Sequence, residues 1–220
     1  MLRTHIASLV SIALFSLSCG LSAAVSETDG PGSTDLASTS APDIVAPVAA
    51  AEPLAPVRED DRLVALAEFL SEQPTGLTPV EIGELAEVIV VESDRHDLDL
   101  RLVLALMYVE SRYQTFAVSP VGAMGLMQVL PSTGKEIADR LGIAWYGPET
   151  LFDPAVNVRI GISYMKRLAR RYGAMDTALA AYNWGPGNID KFLRRGSPLP
   201  KVYPALVNDA YAGPIIPLRS

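Results

Sequence analysis

Cysteine is almost absent: Cys19 stands alone in 220 residues. An internal disulfide is therefore excluded, and the mature chain has no thiol nucleophile and no cysteine metal cluster. Histidine is nearly as scarce. Of His5 and His96, the first falls in a leader-like stretch, so a histidine metal site or a Ser-His-Asp triad is poorly supplied. No metal and no organic cofactor is expected. Alternating strand patterns and long repeats are also missing. The acid-free apolar run Ile6–Leu17, behind Arg3 and His5, has the length of a signal h-region and is too short to span a bilayer comfortably.

Export to the periplasm or cell envelope is thus expected, with residues 1–24 as the signal. Two processing readings stand side by side. "LSAA" (Leu21–Ala24) offers small residues for ordinary cleavage. "SLSC" (Ser16–Cys19) resembles a bacterial lipoprotein signal that would lipid-anchor Cys19, although Ser16 sits where a large apolar residue is usual. Residues 25–60 are Ala, Pro, Ser, Thr, Asp and Glu with few large apolar side chains. Such a segment cannot bury enough surface to offset ordering, and it reads as a disordered tether. The chain beyond residue 60 is unevenly charged: residues 61–100 carry ten acids against two bases, and residues 101–220 eight against fourteen. An anionic polymer is a candidate partner for the second part, while solvated helix faces account for most charge runs. No nucleic-acid partner is expected.

The folded part is expected to be all-α. "DRLVALAEFLSEQ" has helical periodicity over 61–73, before Pro74 and Gly76. In "TPVEIGELAEVIVVESDRHD" Thr78 caps, Pro79 takes the first helical position and Glu81 completes a capping box; Ile82, Leu85, Val88 and Ile89 make the stripe that faces a core. A third helix starts near Asp99, with Leu100, Val103, Leu104 and Met107 as its buried side. "PSTGKEIADRLG" and "DPAVNVRIGISYMKRLARRYG" are two more, the second capped by Asp153. "MDTALAAYNW" comes next, halted by Gly185-Pro186-Gly187, and then "NIDKFLRRG". His96 marks the turn before the third helix.

Glu110 lies three residues after Met107 and seven after Val103, so it points toward the apolar side of its helix. A carboxyl group in apolar surroundings resists ionisation and can remain a proton donor near neutral pH. Taken alone, a glutamate that snorkels to water or pairs with Arg101 or Arg112 is the plainer reading.

Four motifs in order alter that balance: Glu110-Ser111, "SPVGAMGLMQ" (119–128), "LFDPAVNVRIGISYMKRL" (151–168) and "AYNWGPG" (181–187). Together they resemble the soluble-type lytic transglycosylases, bacterial enzymes that cleave peptidoglycan on a lysozyme-like helical domain. The resemblance covers about His96 to Leu206. It implies a compact single domain at 98–206, with residues 61–97 as N-terminal helices packing on it and 207–220 as a C-terminal tail. It also implies that Glu110 is the catalytic acid and base, with Ser111 orienting the backbone or Glu110. Ser119 would lie near the reacting sugar. Gly125, Leu126, Met127 and Gln128 would line the saccharide groove with backbone and side chains, and Tyr182 and Asn183 would border it. Other readings stay open. Ser119 before Pro120 also begins a turn, Gln128 also caps the next helix, Met127 is also core, and the Tyr182 ring also packs. Trp184 either stacks on a sugar or braces the glycine turn. Lys166, Arg167, Arg170 and Arg171 are mostly solvated surface.

Ordinary glycosidases use two carboxylates, about 5 Å apart in retaining enzymes and further apart in inverting ones. Here Glu136, Asp153, Asp176 and Asp190 are the nearest downstream candidates, and all suit helix starts or exposed faces better. The chemistry implied by the resemblance needs one acid, since the substrate's own acetamido and 6-hydroxyl groups do the rest. One segment departs from the pattern: "GSPLPKVYPALVNDAY" lacks the family's glutamate-threonine pair, leaving Tyr203 as the best positional match and Tyr211 as the second. Glycan length and crosslink preference stay open. A monomer acting on glycan strands is expected, with a lysozyme-type hydrolase as one alternative. The other is a wall-binding or wall-opening subunit of an envelope-spanning machine.

Overall fold

The computed structural model describes residues 59–213. The expected signal, Cys19 and nearly all of the expected tether lie outside the described residues, as does the stretch after residue 213. Among the described residues there are eight α-helices, one 3-10 helix and only isolated β-bridges.

α1 (Glu59–Ser71) packs on α2 (Pro79–Arg95). The entry to α2 is fixed by sequence as expected: the Glu81 amide donates to Thr78 Oγ1 at 3.4 Å, and the Thr78 amide donates to Glu81 Oε2 at 2.8 Å. His96 closes that helix. α3 (Leu100–Ser111) is capped by Asp99, which accepts from the Arg101 amide at 2.8 Å. Its residues from Leu102 to Met107 are all buried. A helix apolar on every side belongs at the centre of a domain, and each fully buried Leu or Met there contributes roughly 1.5–3 kcal/mol.

α4 (Pro131–Leu141) and a 3-10 helix (Pro148–Phe152) lead to α5 (Pro154–Tyr172), whose cap Asp153 accepts from the Val156 amide at 2.9 Å. α6 (Met175–Trp184), α7 (Pro186–Arg194) and α8 (Val202–Ala212) complete the fold.

Two expectations need correction. The helix before Gly185 ends where expected, with Gly185 at φ 79°, but the next one starts earlier than expected, since Pro186 and not Asn188 opens α7, where its missing N–H is no loss. The tail expected from residue 207 is helix to Ala212, with Val207 and Ala210 buried. Leu66 and Leu70 of α1, Ile89 of α2, α3, α5 and Val207 of α8 share one continuous core.

Candidate active site

Glu110 sits in the last turn of α3, where the buried helix emerges. Behind it the backbone turns left-handed at two successive non-glycine residues, Arg112 (φ 54°) and Tyr113 (φ 64°). Neighbours hold that turn: the buried Tyr113 hydroxyl donates back to the Leu104 carbonyl at 3.1 Å, and the Arg112 guanidinium lies 3.9 Å over the Tyr108 ring. Arg112 is thus committed elsewhere. Arg101 is likewise bound at the far end of α3, to the Tyr211 and Gly213 carbonyls. Neither arginine pairs with Glu110, so the ion-pair reading fails.

The partner of Glu110 comes from α8. The Tyr203 hydroxyl donates to Glu110 Oε1. By exposed area Glu110 is half-buried, yet the protein packed around its carboxyl raises its pKa to about 7, burial outweighing the Tyr203 hydrogen bond that favours the ionised form. Burial and the adjacent carboxylate keep the phenols of Tyr203 and Tyr182 well above their ordinary range. Both therefore remain donors. Tyr211, the second positional match, binds Asp99 Oδ2 at 2.6 Å, at the opposite end of α3.

The loop after α3 is built on hydrogen bonds rather than on a strand. Ser111 Oγ, buried, donates to the Leu126 carbonyl at 2.8 Å and the Met107 carbonyl at 3.1 Å. Ser111 thus holds the loop to the helix and does not face a groove. Leu126 and Met127 are 0% exposed; their side chains are core, which corrects the expectation that they line the saccharide groove. Gly125 is buried at φ 78°, and a Cβ there would fall 2.2 Å from Asn157 Nδ2 and 2.5 Å from the Leu151 carbonyl. Only glycine fits. Gln128 Nε2 donates to the Ala117 and Gly125 carbonyls at 3.0 and 2.9 Å, so this side chain braces the loop and leaves α4 without a side-chain cap. Ser119 Oγ accepts from the Ala123 amide at 2.9 Å, making a turn.

Two contributors escaped the sequence reading. Asn157 of α5, 0% exposed, accepts from the Met127 amide at 2.8 Å and donates to the Met124 and Leu151 carbonyls at 2.9 and 2.8 Å. One amide thus satisfies three buried backbone groups of the loop. Gly161, one turn on, lets Met127 in, since a Cβ there would lie 2.4 Å from Met127 Sδ. The available signal was a polar residue in the apolar stripe of α5, four positions before Gly161 and eight before Met165.

The Tyr182 hydroxyl donates to the Met127 carbonyl at 2.8 Å, and its ring meets Tyr164 at 5.3 Å. Tyr182, Asn183, Trp184 and Gln128 then line a cavity of about 550 Å³. Glu110 is not among the lining residues; Tyr182, which lies in the field of Glu110, joins the two. No carboxylate lines the cavity. The four acids considered as second groups are engaged elsewhere: Asp153 as a cap, Asp176 with Asn208, Asp190 with Arg171 and Tyr172, and Glu136 with Arg140 and Arg167.

A family model described as "Transglycosylase SLT domain" matches residues 87–200. The soluble lytic murein transglycosylase of Salmonella typhimurium (strain LT2) is 36% identical over 99 residues, covering 44% of this chain and 15% of that protein. The transglycosylase of Enterobacteria phage PRD1 is 34% identical over 134 residues, 54% of this chain and 47% of that one. The membrane-bound lytic murein transglycosylase C of Mannheimia succiniciproducens is 37% identical over 107 residues, 44% of this chain and 30% of that one. The chain thus spans less than half the length of each of these relatives. Matched over more than half of its own length, with Glu110, the 119–128 loop and Tyr182 all inside the matched span, the chain belongs to the transglycosylase SLT family.

Proposed function

We propose that this protein is a lytic transglycosylase that cleaves the β-1,4 bond between N-acetylmuramic acid and N-acetylglucosamine in peptidoglycan, with Glu110 as its single acid and base. The observation that carries the reading is a carboxyl held at a pKa of about 7 with a tyrosine hydroxyl on Oε1. A group of that acidity gives up a proton and takes one back at neutral pH, which suits a residue that must do both.

Glu110, protonated, gives its proton to the glycosidic oxygen as the bond to the muramic carbon breaks. Positive charge grows on that carbon, and the substrate's acetamido oxygen stabilises it. Glu110, now ionised and held by the Tyr203 hydroxyl, removes the proton of the muramic 6-hydroxyl. That oxygen closes on the same carbon. The product is a 1,6-anhydro sugar, no water is consumed, and the glutamate ends as it began. Ser111 and Asn157 are positioning residues here, acting through the 124–128 backbone; Gln128, Tyr182 and Asn183 border the path of the glycan. The expected signal at 1–24 and tether at 25–60 agree with work at the cell envelope.

Weighing the fragments released from purified peptidoglycan tests this. Products one water lighter than hydrolysis products support transfer. New reducing ends mean a lysozyme-type hydrolase, and no release from the intact protein means a binding module. Glu110→Gln is expected to abolish release, since an amide cannot donate the proton.

A further inference from the structure

Glu110 and Ser111 end α3, and the next two residues turn the chain away from it. The Gln114 amide donates to the Ser111 carbonyl at 3.1 Å, with Arg112 (φ 54°) and Tyr113 (φ 64°) between them. Two successive positive φ values mark a mirror-image turn, the type that glycine, asparagine and aspartate dominate. Arginine and tyrosine carry a Cβ that disfavours this backbone, so the packing around them has to hold it.

That packing converges on Tyr113. Its side chain is 1% exposed and its hydroxyl donates to the Leu104 carbonyl at 3.1 Å. Its ring meets two others: Tyr108 of α3 at 6.1 Å, and Phe69 of α1 edge-on at 5.6 Å. Tyr108 belongs to the helix that the turn ends, so it moves with that helix. Phe69 is anchored independently. It is buried, and the Glu72 amide and Gln73 Nε2 both donate to its carbonyl, at 3.3 and 3.1 Å, closing the end of α1 around it. An aromatic ring fixed in this way gives Tyr113 a reference point that α3 itself does not supply.

α1 precedes the span that the family model matches, residues 87–200, and Tyr203 of α8 follows it. Two elements outside that span therefore bear on Glu110: Tyr203 meets the carboxyl, and Phe69 meets the turn behind it.

We propose that Phe69 is a positioning residue for Glu110, acting through Tyr113, so that α1 belongs to the frame of the active site and not only to the core. The proposal rests on the reading of Glu110 as acid and base, and deepens it. A smaller side chain at 69 leaves Tyr113 room to shift and the turn room to relax, and the last turn of α3 shifts with them. Glu110 then meets the glycosidic oxygen less well aligned. Gln128, Tyr182 and Asn183, which line the cavity, stay where the loop and α6 hold them. The loss falls on the chemical step and spares binding.

The test is kcat and KM of the intact chain on soluble peptidoglycan fragments, at a temperature where melting curves show every variant folded. Phe69→Leu should lower kcat about threefold to tenfold, with KM within about twofold. Leu85→Ala, a deletion in the same core on α2, should lower the melting temperature at least as far and leave kcat at the parent's value. Phe69→Leu added to Tyr113→Leu should cost nothing beyond Tyr113→Leu alone, because the effect passes through that ring. An unchanged kcat in Phe69→Leu, an equal fall in Leu85→Ala, or independent losses in the double variant overturns the proposal. Fragment masses from the unsubstituted protein report on the parent reading separately. Anhydro products leave it standing whatever Phe69 does, products with reducing ends remove transfer and leave the Phe69 comparison to be decided by kcat, and no products remove both.

Discussion

At the scale of single residues, Glu110 carries a cost that pH makes visible. Its pKa is about 7 in the native protein against an ordinary 4.5. Between those values the folded chain keeps a proton that the unfolded chain has lost, so the native state binds more protons and stability falls as pH rises through the window. Below 4.5 the penalty is absent, and above 7 it is complete. Glu110→Gln is therefore expected to unfold with more difficulty than the parent at pH 8, by about 1–3 kcal/mol, and with no such advantage at pH 4. Denaturant titrations at both pH values check it; an equal difference at both would mean that the carboxyl is not raised. Tyr203 pulls the other way. Its hydroxyl favours the ionised carboxylate, so Tyr203→Phe should move the alkaline limb of kcat/KM to higher pH. The same change removes the donor that steadies the carboxylate between the two proton transfers, and maximal turnover should drop about tenfold to a hundredfold.

Between elements, the junction of α5 with the 124–128 loop carries the most argument. Asn157→Leu keeps the branched shape but strands the Met127 amide and the Leu151 carbonyl and leaves the Met124 carbonyl with the Val129 amide alone. The expected destabilisation is about 3–5 kcal/mol, read as a lower melting temperature, with cleavage reduced even where the protein is folded, because Met127 also carries the carbonyl that Tyr182 holds. This junction also marks where sequence reading stopped. The α2 capping box, the Asp99 and Asp153 caps and the buried stripe of α3 were legible, since each rests on contacts within a few residues of chain. The placement of Glu110 against protein rather than in open water was legible from helical phase. The loop was misread, Leu126 and Met127 being assigned to the groove, because their burial is decided by Asn157 and Gly161 some thirty residues on. Local pattern does not encode that a distant asparagine and glycine will leave both apolar neighbours inside. The Gly-Pro-Gly break was legible as the end of α6, while the start of α7 was set two residues late because Pro186 suits both a helix stop and the first position of the next helix.

For the molecule as a whole, α8 is what ties the Glu110 end of α3 to the rest of the core. It runs antiparallel to α3 and holds it at both ends: Tyr203 meets Glu110 at the end of α3, while Tyr211 donates to Asp99 and Arg101 to the Tyr211 and Gly213 carbonyls at its start. Val207 lies between them at 0% exposure. The far fastening therefore supports the near one, although residues 99 and 211 take no part in the proposed chemistry. Ending the chain after Leu206, where sequence pattern alone set the domain boundary, keeps Tyr203 but leaves a five-residue remnant of an eleven-residue helix, too short to persist by itself. Losing Val207 and the Asp99 and Arg101 contacts should cost about 3 kcal/mol or more, a large share of a typical domain's margin. A chain ended after Gly213 keeps every one of these contacts and is the reference for the comparison. Side-by-side melting curves and fragment release from peptidoglycan separate the outcomes: if the shorter chain matches the longer in both, α8 is dispensable beyond its first turn and Tyr203 needs no help to reach Glu110.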